Sequence, residues 1–457
     1  SEKNPYSTRC GRLHKMRQSW KKKKSARQRH ACYIKAVNKN IGSNKNWDSS
    51  QGGVILKTQS FRTKTLFINR KNPAVEGGWG IAIDIGYSGT KVFAPNGIAC
   101  FPSFAIPVTG GLLNMSSPGE EAILYRDSET GEIWKVGKAA QDVISPKDPD
   151  QNSASIYGRQ RYFSPMYRVI ARAAMGIACM PNEYGSLSGK KVFVETGLPN
   201  KYLKSDKPLI QEALAGRHVF DIKVGSGEWH HFDIELAEND DDIHVMAQPV
   251  GTLLSVSTGN NGAPIPKSAD YLTASVAICD PGFGTMDCFA IRGGEIAFAE
   301  TFTDLSMQKV LGETSEKIYR ELNVEIPVPA MQKYLEKGFV TTFDRKLRGG
   351  KNVEFGNLLE ECNRKIAEKT IEKLCELYDN LLDYDYLIVT GGTGEAWYPF
   401  FEEAFQNMPN LTLIPGNQNT EGILADEDGN LMPLPFIFSN ARGYYMSMQR
   451  RLSKLTQ

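Results

Sequence analysis

An α/β fold built from two pseudo-equivalent halves is predicted by three features of this 457-residue chain. Strand-like apolar runs alternate with periodic helices from Gly77 onward. A short hairpin pattern tipped by an aspartate occurs twice, in residues 78 to 104 and again in residues 275 to 300. An apolar strand in residues 387 to 405 also runs into a diglycine turn and then a helix. The chain is 41% hydrophobic and 10% aromatic, which supplies a core, and its length suits about three domains of roughly 150 residues.

The first hairpin, GWGIAIDIGYSGTKVFAPNGIACFPSF, begins with an apolar strand ending in Asp84. It passes a turn of Gly86, Ser88, Gly89 and Thr90 and resumes as a strand at Lys91. Asn96-Gly97 is a two-residue hairpin signal leading to a third strand. The tip of such a hairpin can present backbone N–H groups to phosphate, and the aspartate beside it would hold the water shell of a magnesium ion. SVAICDPGFGTMDCFAIRGGEIAFAE repeats the pattern: a strand ending in Asp280, a turn of Gly282, Gly284 and Thr285, a strand from Met286, and a second turn at Gly293-Gly294. One such turn is compatible with a plain β-hairpin. Two in one chain can clamp a triphosphate from opposite sides.

In LIVTGGTGEAWYPFFEEAF, Gly391-Gly392 at the strand–helix junction would let a flat ring lie against the backbone. The preceding segment, residues 357 to 382, keeps Leu359, Ile366, Leu374, Leu377 and Leu381 at helical spacing with charges outward, and reads as scaffold. Other chemistries lack their motifs. GSLSGKK (residues 185 to 191) has the wrong spacing for a P-loop, and no G-x-G-x-x-G follows a strand. Neither G-x-S-x-G nor HExxH occurs, and His218, His230, His231 and His244 show no ligand spacing, so surface or packing roles are expected for them.

Charge divides the chain. Residues 1 to 75 hold 19 Lys and Arg against 2 Asp and Glu, a net +17, and residues 76 to 457 hold 35 against 50, a net −15. The opening RCGRLHKMRQSWKKKKSARQRH buries nothing and is expected to be flexible. Its later stretch, residues 54 to 68, partly alternates and suits a strand or hairpin. Several readings of the arm compete: contact with a polyanion such as nucleic acid, an Arg-rich transit peptide, or an ordinary solvated tail. A zinc site from Cys10, His14, His30 and Cys32 is disfavoured by their spacing. Eight scattered cysteines without a CxxC pair suit reduced thiols. No apolar run reaches the roughly 18 residues of a membrane span, and the N-terminus lacks the apolar stretch of a secretory signal, so no membrane partner and a cytoplasmic location are expected.

On these residues the chain resembles the actin, Hsp70 and sugar-kinase superfamily, and within it the bacterial actin-like plasmid-partition ATPases of the ParM (StbA) type. IAIDIGYSGTKVF resembles the first phosphate loop, ICDPGFGTMDCFAI the second, and IVTGGTGEAWYP the adenosine motif. KVFVETGLPNKYL (residues 191 to 203) and FSNARGYYMSM (residues 438 to 448) resemble the linking and closing segments.

The resemblance implies an actin-like (ribonuclease H-like) two-domain α/β fold with a nucleotide cleft, plus a basic N-terminal extension. Domain I would span residues 76 to 270, with 436 to 457 returning to it, and domain II residues 271 to 435; residues 1 to 75 would be the extension. It implies ATP and Mg2+ as cofactors. Asp84 and Asp280 would hold hydrated magnesium, and Gly86, Ser88, Gly89, Thr90, Gly282, Gly284 and Thr285 would cradle phosphates. Lys91 would reach the β- or γ-phosphate, and Gly391, Gly392 and Thr393 would face adenosine. Gln248, just after a strand, would orient the attacking water, although a strand-end polar cap is the competing account.

The implied activity is ATP hydrolysis coupled to dynamic filaments of the protein itself that segregate plasmid DNA, with a DNA-binding partition adaptor on a centromere-like site. Direct contact of the basic arm with nucleic acid is a further expectation. A non-polymerising ATPase and a small-molecule kinase of the same superfamily remain the alternatives. The sequence departs from the family at Tyr87, where a small hydroxyl residue is usual, in the acidic segment 420 to 435, and in the basic arm.

Overall fold

The computed structural model describes residues 58–75, 77–108, 119–143, 159–346, 348–425 and 429–455. The arm before residue 58, with its lysine run and its Cys10, His14, His30 and Cys32 set, lies outside the described residues.

The first lobe is organised by a six-stranded sheet in the order Leu66–Asn69, Gly97–Pro102, Gly89–Ala94, Gly78–Ile85, Lys191–Leu198, Ile243–Ala247. The first three pairings are antiparallel and the last two parallel. The second lobe is organised by a five-stranded sheet in the order Glu295–Phe302, Met286–Arg292, Val276–Pro281, Tyr386–Val389, Thr412–Pro415. It has two antiparallel pairings followed by two parallel ones. Apart from the additional edge strand Leu66–Asn69, the two sheets share one topology, which is the structural form of the sequence repeat. The central strands are buried on both faces, as their near-continuous apolar runs require.

A further five-stranded sheet, in the order His230–Leu236, Gly216–Val224, Ile123–Asp127, Ile133–Val136, Ala105–Pro107, belongs to the first lobe. Helix Pro165–Cys179 contacts both of that lobe's sheets. It starts where the Ser164 hydroxyl accepts from the Tyr167 N–H and Pro165 sets the first turn. With packing on both faces it carries ten buried residues out of fifteen. The opposite face of the six-stranded sheet is covered by helix Ser439–Leu455, which brings Tyr444, Tyr445, Met448 and Leu452 against Ala82, Phe93 and Cys100.

Several sequence expectations change in detail. Residues 58 to 75 are part of the body: Leu66–Asn69 pairs with Gly97–Pro102, and Arg62 and Asn72 are buried. Of the expected strand in residues 54 to 68, residues 54 to 57 lie outside the described residues; in the remainder the strand begins at Leu66 and continues to Asn69. The turn after Ala94 consists of Pro95 and Asn96, with Gly97 opening the next strand opposite Ala94. Asn96 is drawn into the turn because its amide donates to the carbonyls of Met180 and Gly185 at 2.7 and 3.1 Å. The scaffold helix is Gly356–Leu377 and stops before residue 382, because Asp379, Asn380 and Leu381 take positive φ and turn Leu381 back into the core. The acidic segment 420 to 435 contains the small hairpin Leu424–Ala425 and Leu431–Met432. Cys100, Cys179, Cys279, Cys288, Cys362 and Cys375 are free thiols. No helix among the described residues is long and apolar enough to cross a membrane.

Two helices join the lobes. Gln248–Val256 follows the last strand of the first lobe and delivers Leu253 and Val256 to the second lobe's core. It packs closely on Ser439–Leu455, where a Cβ on Gly443 would lie 1.8 Å from the Gly251 carbonyl oxygen. No side chain can enter without separating the helices. Gly443→Ala is therefore expected to destabilise the protein by about 3 kcal/mol, read as a lowered urea midpoint, the size of effect that forced overpacking produces.

Candidate nucleotide site

One cavity of about 380 Å³ lies between the two aspartate-tipped hairpins. Asp84, Gly86, Ser88, Gly89, Lys91, Gln248, Asp280, Gly282, Gly284, Thr285, Gly391, Gly392 and Thr393 all line it. Among the candidates named from the sequence, Thr90 does not. Its side chain is fully buried and hydrogen-bonded to Ser103 at 2.8 Å, because residue 90 pairs with Ile85 and points into the sheet.

The hairpins place their acids by register. Asp84 lies opposite Lys91, and Asp280 opposite Asp287, the same seven-residue spacing in both lobes. Lys91 Nζ sits 2.6 Å from the Asp84 carboxylate and 3.2 Å from the Gly89 carbonyl. Asp280 accepts from the Asn440 amide at 2.9 Å, and the Asn440 carbonyl oxygen accepts from the Thr252 hydroxyl at 2.7 Å. Burial pushes the Asp280 carboxyl up to about 6, opposed by the Asn440 hydrogen bond and reinforced by the Asp84 charge.

Carbonyls of both turns are engaged by donors from neighbouring elements. Arg161 donates to the carbonyls of Ile85 and Gly86 at 2.7 and 3.4 Å, and Ser103 N–H to that of Ser88 at 2.9 Å. In the second turn, Met307 N–H and the Thr393 hydroxyl donate to Gly282, and Gln308 N–H donates to Phe283. These are the first N–H groups of helix Met307–Leu322, so the loop carbonyls cap that helix. The N–H groups of Ser88 and Gly284 have no protein acceptor among the described residues. Opposed donors of this kind suit an anion held between the lobes.

The diglycine serves a tighter purpose than admitting a ring. Gly391 has φ +78°, and a Cβ there would lie 2.2 Å from an Asp280 carboxylate oxygen. At Gly392 a Cβ would meet the Ile437 side chain at 2.5 Å. Gln248 opens its helix, and its side chain has no hydrogen-bond partner among the described residues.

Four features of the site carry no role in the sequence reasoning. Asp287 lines the cavity, buried, with its carboxyl pushed up to about 7 chiefly by burial, against hydrogen bonds from Thr301 and Thr285. Its signal was the shared spacing of seven. Tyr87 packs against the Cα of Gly284, and Arg161 lies over the Tyr87 ring at 4.4 Å, so an aromatic bridges the two turns. Asn440 sits within the quoted closing segment, but nothing local reveals its partner. Ser60 to Lys64 also line the cavity, from within the basic stretch. Three of the four histidines named above have partners away from the cavity: His218 with Leu214 and Arg172, His231 with Asp221, and His244 with Glu195.

Two lobes of one topology, each giving an acid-tipped hairpin to a shared cavity, define the actin-like class of fold. Residues 82–251 match the family described as actin-like proteins, N-terminal domain. In fold the chain is similar to pCBH ParM, solved as a non-polymerisable quadruple mutant, with a TM-score of 0.60 at 19% identity over 81% of this chain and 99% of that one. It is similar to the ParM of a 15-stranded filament from Clostridium botulinum, with a TM-score of 0.59 at 20% identity over 82% and 99%. The archaeal actin homologue Ta0583 in complex with ADP gives 0.52 at 17% identity over 81% and 99%. None of the curated protein sequences matches the chain. The fold is actin-like, as the resemblance implied.

Asp287 generates a pH prediction. Its carboxyl is raised in the folded state from an ordinary value near 4, so its ionisation opposes folding. The Asp287 contribution to stability is fully present below that ordinary value and is lost as pH rises from there to about 7. Asp287→Asn is expected to gain ~2 kcal/mol relative to the parent between pH 5 and pH 8, measured by urea unfolding without nucleotide.

Proposed function

We propose that the chain is an ATP-hydrolysing actin-like protein that assembles into dynamic filaments and segregates plasmid DNA. The observation that carries this is the convergence of the Asp84 and Asp280 hairpins on one cavity whose turns offer opposed N–H donors. The donor set fits a magnesium nucleotide: two carboxylates suit an ion that keeps most of its waters and takes its remaining ligands from phosphate. Bound magnesium would neutralise charge on the transferring phosphoryl group.

The protein's own contribution is positioning and electrostatics. Asp84 and Asp280 would hold the hydrated ion, and Lys91, freed from full pairing with Asp84, would meet the β- or γ-phosphate. The glycine turns would bind phosphate oxygens through Ser88 and Gly284 N–H, and Gly391, Gly392 and Thr393 would line the adenosine side. Gln248 would orient water by hydrogen bonding; an amide cannot take the proton strongly. Support for self-assembly comes from the fold's likeness to a ParM filament subunit. A DNA-binding adaptor on a centromere-like site, and contact of the basic arm with nucleic acid, complete the proposal.

A second account, phosphate transfer to a small molecule, is favoured by one observation: Asp287 is a cavity carboxyl raised to about 7, the range of a general base. Its hydrogen bonds to Thr285 and Thr301 commit it to the sheet and weigh against that use. Sedimentation separates these accounts: the protein should pellet with ATP and magnesium and stay in the supernatant without nucleotide. A supernatant unchanged by ATP at high protein concentration excludes filaments. Gln248→Ala should lower the hydrolysis rate by roughly 10²-fold while nucleotide affinity stays within about twofold, measured by phosphate release and fluorescence titration. Unaltered turnover would remove Gln248 from the mechanism.

A further inference from the structure

The stretch from Thr58 to Lys64 carries no motif, yet it crosses the cavity from one lobe to the other. On the second lobe, the Thr58 hydroxyl donates to the Leu335 carbonyl at 2.8 Å and the Gln59 amide to that of Glu336 at 3.0 Å. Thr63 N–H donates to the Gln332 side chain at 3.1 Å, and Phe61 is buried in the second lobe's core. On the first lobe, the chain continues as Leu66–Asn69, the edge strand of the six-stranded sheet, and the Thr63 methyl lies against Gly89 of the phosphate turn.

Arg62 reaches both ways. Its guanidinium lies 2.6 Å from Asp142, just after helix Lys138–Gln141 of the first lobe, and 2.8 Å from Glu336 on helix Val328–Lys337 of the second. The arginine side chain is only 7% exposed, whereas the two carboxylates are about half exposed. Moving the lobes apart would separate this nearly buried cation from at least one partner, a costly rearrangement for a charge removed from water.

We propose that residues 58–64 are a strap, a further wall of the nucleotide site that ties the two lobes together across it, so that nucleotide leaves when the Arg62 bridges part. The inference rests on the nucleotide-binding account above. Four cations line the cavity, and two of them, Arg62 and Lys64, come from this strap. The strap thus acts on exchange twice, by bridging the lobes and by placing positive charge beside a polyphosphate.

The test is the dissociation rate of mant-ADP from the full chain, chased with excess unlabelled ATP. Arg62→Ala should release mant-ADP about tenfold faster than the parent, as expected for losing two bridges to a nearly buried arginine. Asp142→Asn and Glu336→Gln, which remove one bridge each from a half-exposed side chain, should each give a smaller increase. If Arg62→Ala does not fold, the two carboxylate variants carry the test. Rates within twofold of the parent in every folded variant, with only the melting temperature lowered, would make the segment ordinary packing and overturn the strap. A parent protein that takes up no mant-ADP would instead defeat the nucleotide account itself, so the two failures are distinguishable.

Discussion

The architecture depends on holding two buried carboxylates of like charge at adjoining strand ends. Asp84 and Asp280 are 3% and 7% exposed, and each belongs to a different lobe. In a low-dielectric cleft such a pair is tolerable only when each acid has its own compensation. Lys91 supplies a countercharge to one, and Asn440 a hydrogen bond to the other. Gly391 is required because an Asp280 oxygen occupies the space of its missing side chain. The parallel sheets, the glycine junction and the closing helix can all be understood as supports for that one electrostatic arrangement.

The repeat is symmetric in topology and asymmetric in charge. The residue seven after the hairpin aspartate is a lysine in the first lobe and an aspartate in the second. Cavity cations come from the first lobe, as Lys91 and Arg161, and from the strap, as Arg62 and Lys64. Asp280, Asp287 and Glu395 belong to the second lobe. The carboxylates are not confined to that lobe, since Asp84 comes from the first, so a bound metal nucleotide would meet cations from the first lobe and the strap and acids from both lobes. Asp287, whose carboxyl is raised chiefly by burial, is held by two threonine hydroxyls.

Much of this was legible in local sequence. Strand, acid, glycine turn and returning strand are consecutive, so each acid-tipped hairpin could be located from its own residues, and repetition of the pattern implied a common cavity. The position of Gln248 was legible because it follows a strand directly. The burial of the Thr90 side chain is not legible, because turn composition does not reveal which residue begins the pairing; the register with Ile85 turns it inward. The steric need for glycine at position 391 is not legible, because the side chain filling its space comes from Asp280, over a hundred positions earlier in the chain. Arg62 was counted with the basic arm because composition sees a charge and not its partners: Asp142 and Glu336 lie 80 and 274 residues away. Long-range pairing of that sort has no local signature.

The closing segment shows the same limit from the other side. Ser439 donates to the Gly416 carbonyl, and Asn440 joins Thr252 to Asp280. Arg442, nearly fully buried without a carboxylate, donates to the carbonyls of Ser255, Thr258 and Asn419, which draw it to the C-terminal end of the helix that Gln248 begins. Burial accordingly lowers its pKa to about 10, yet a guanidinium at that value remains charged at neutral pH and keeps all three carbonyls satisfied. Gly443 sets the depth of the helix crossing, and the Tyr445 hydroxyl donates to the Pro73 carbonyl, close to where the strap's chain enters the first lobe. One short helical stretch therefore couples Asp280, the helix carrying Gln248 and the N-terminal segment. A displacement at any of these contacts must be shared by the others, because the backbone contact at Gly251 leaves the two helices little room to slide independently.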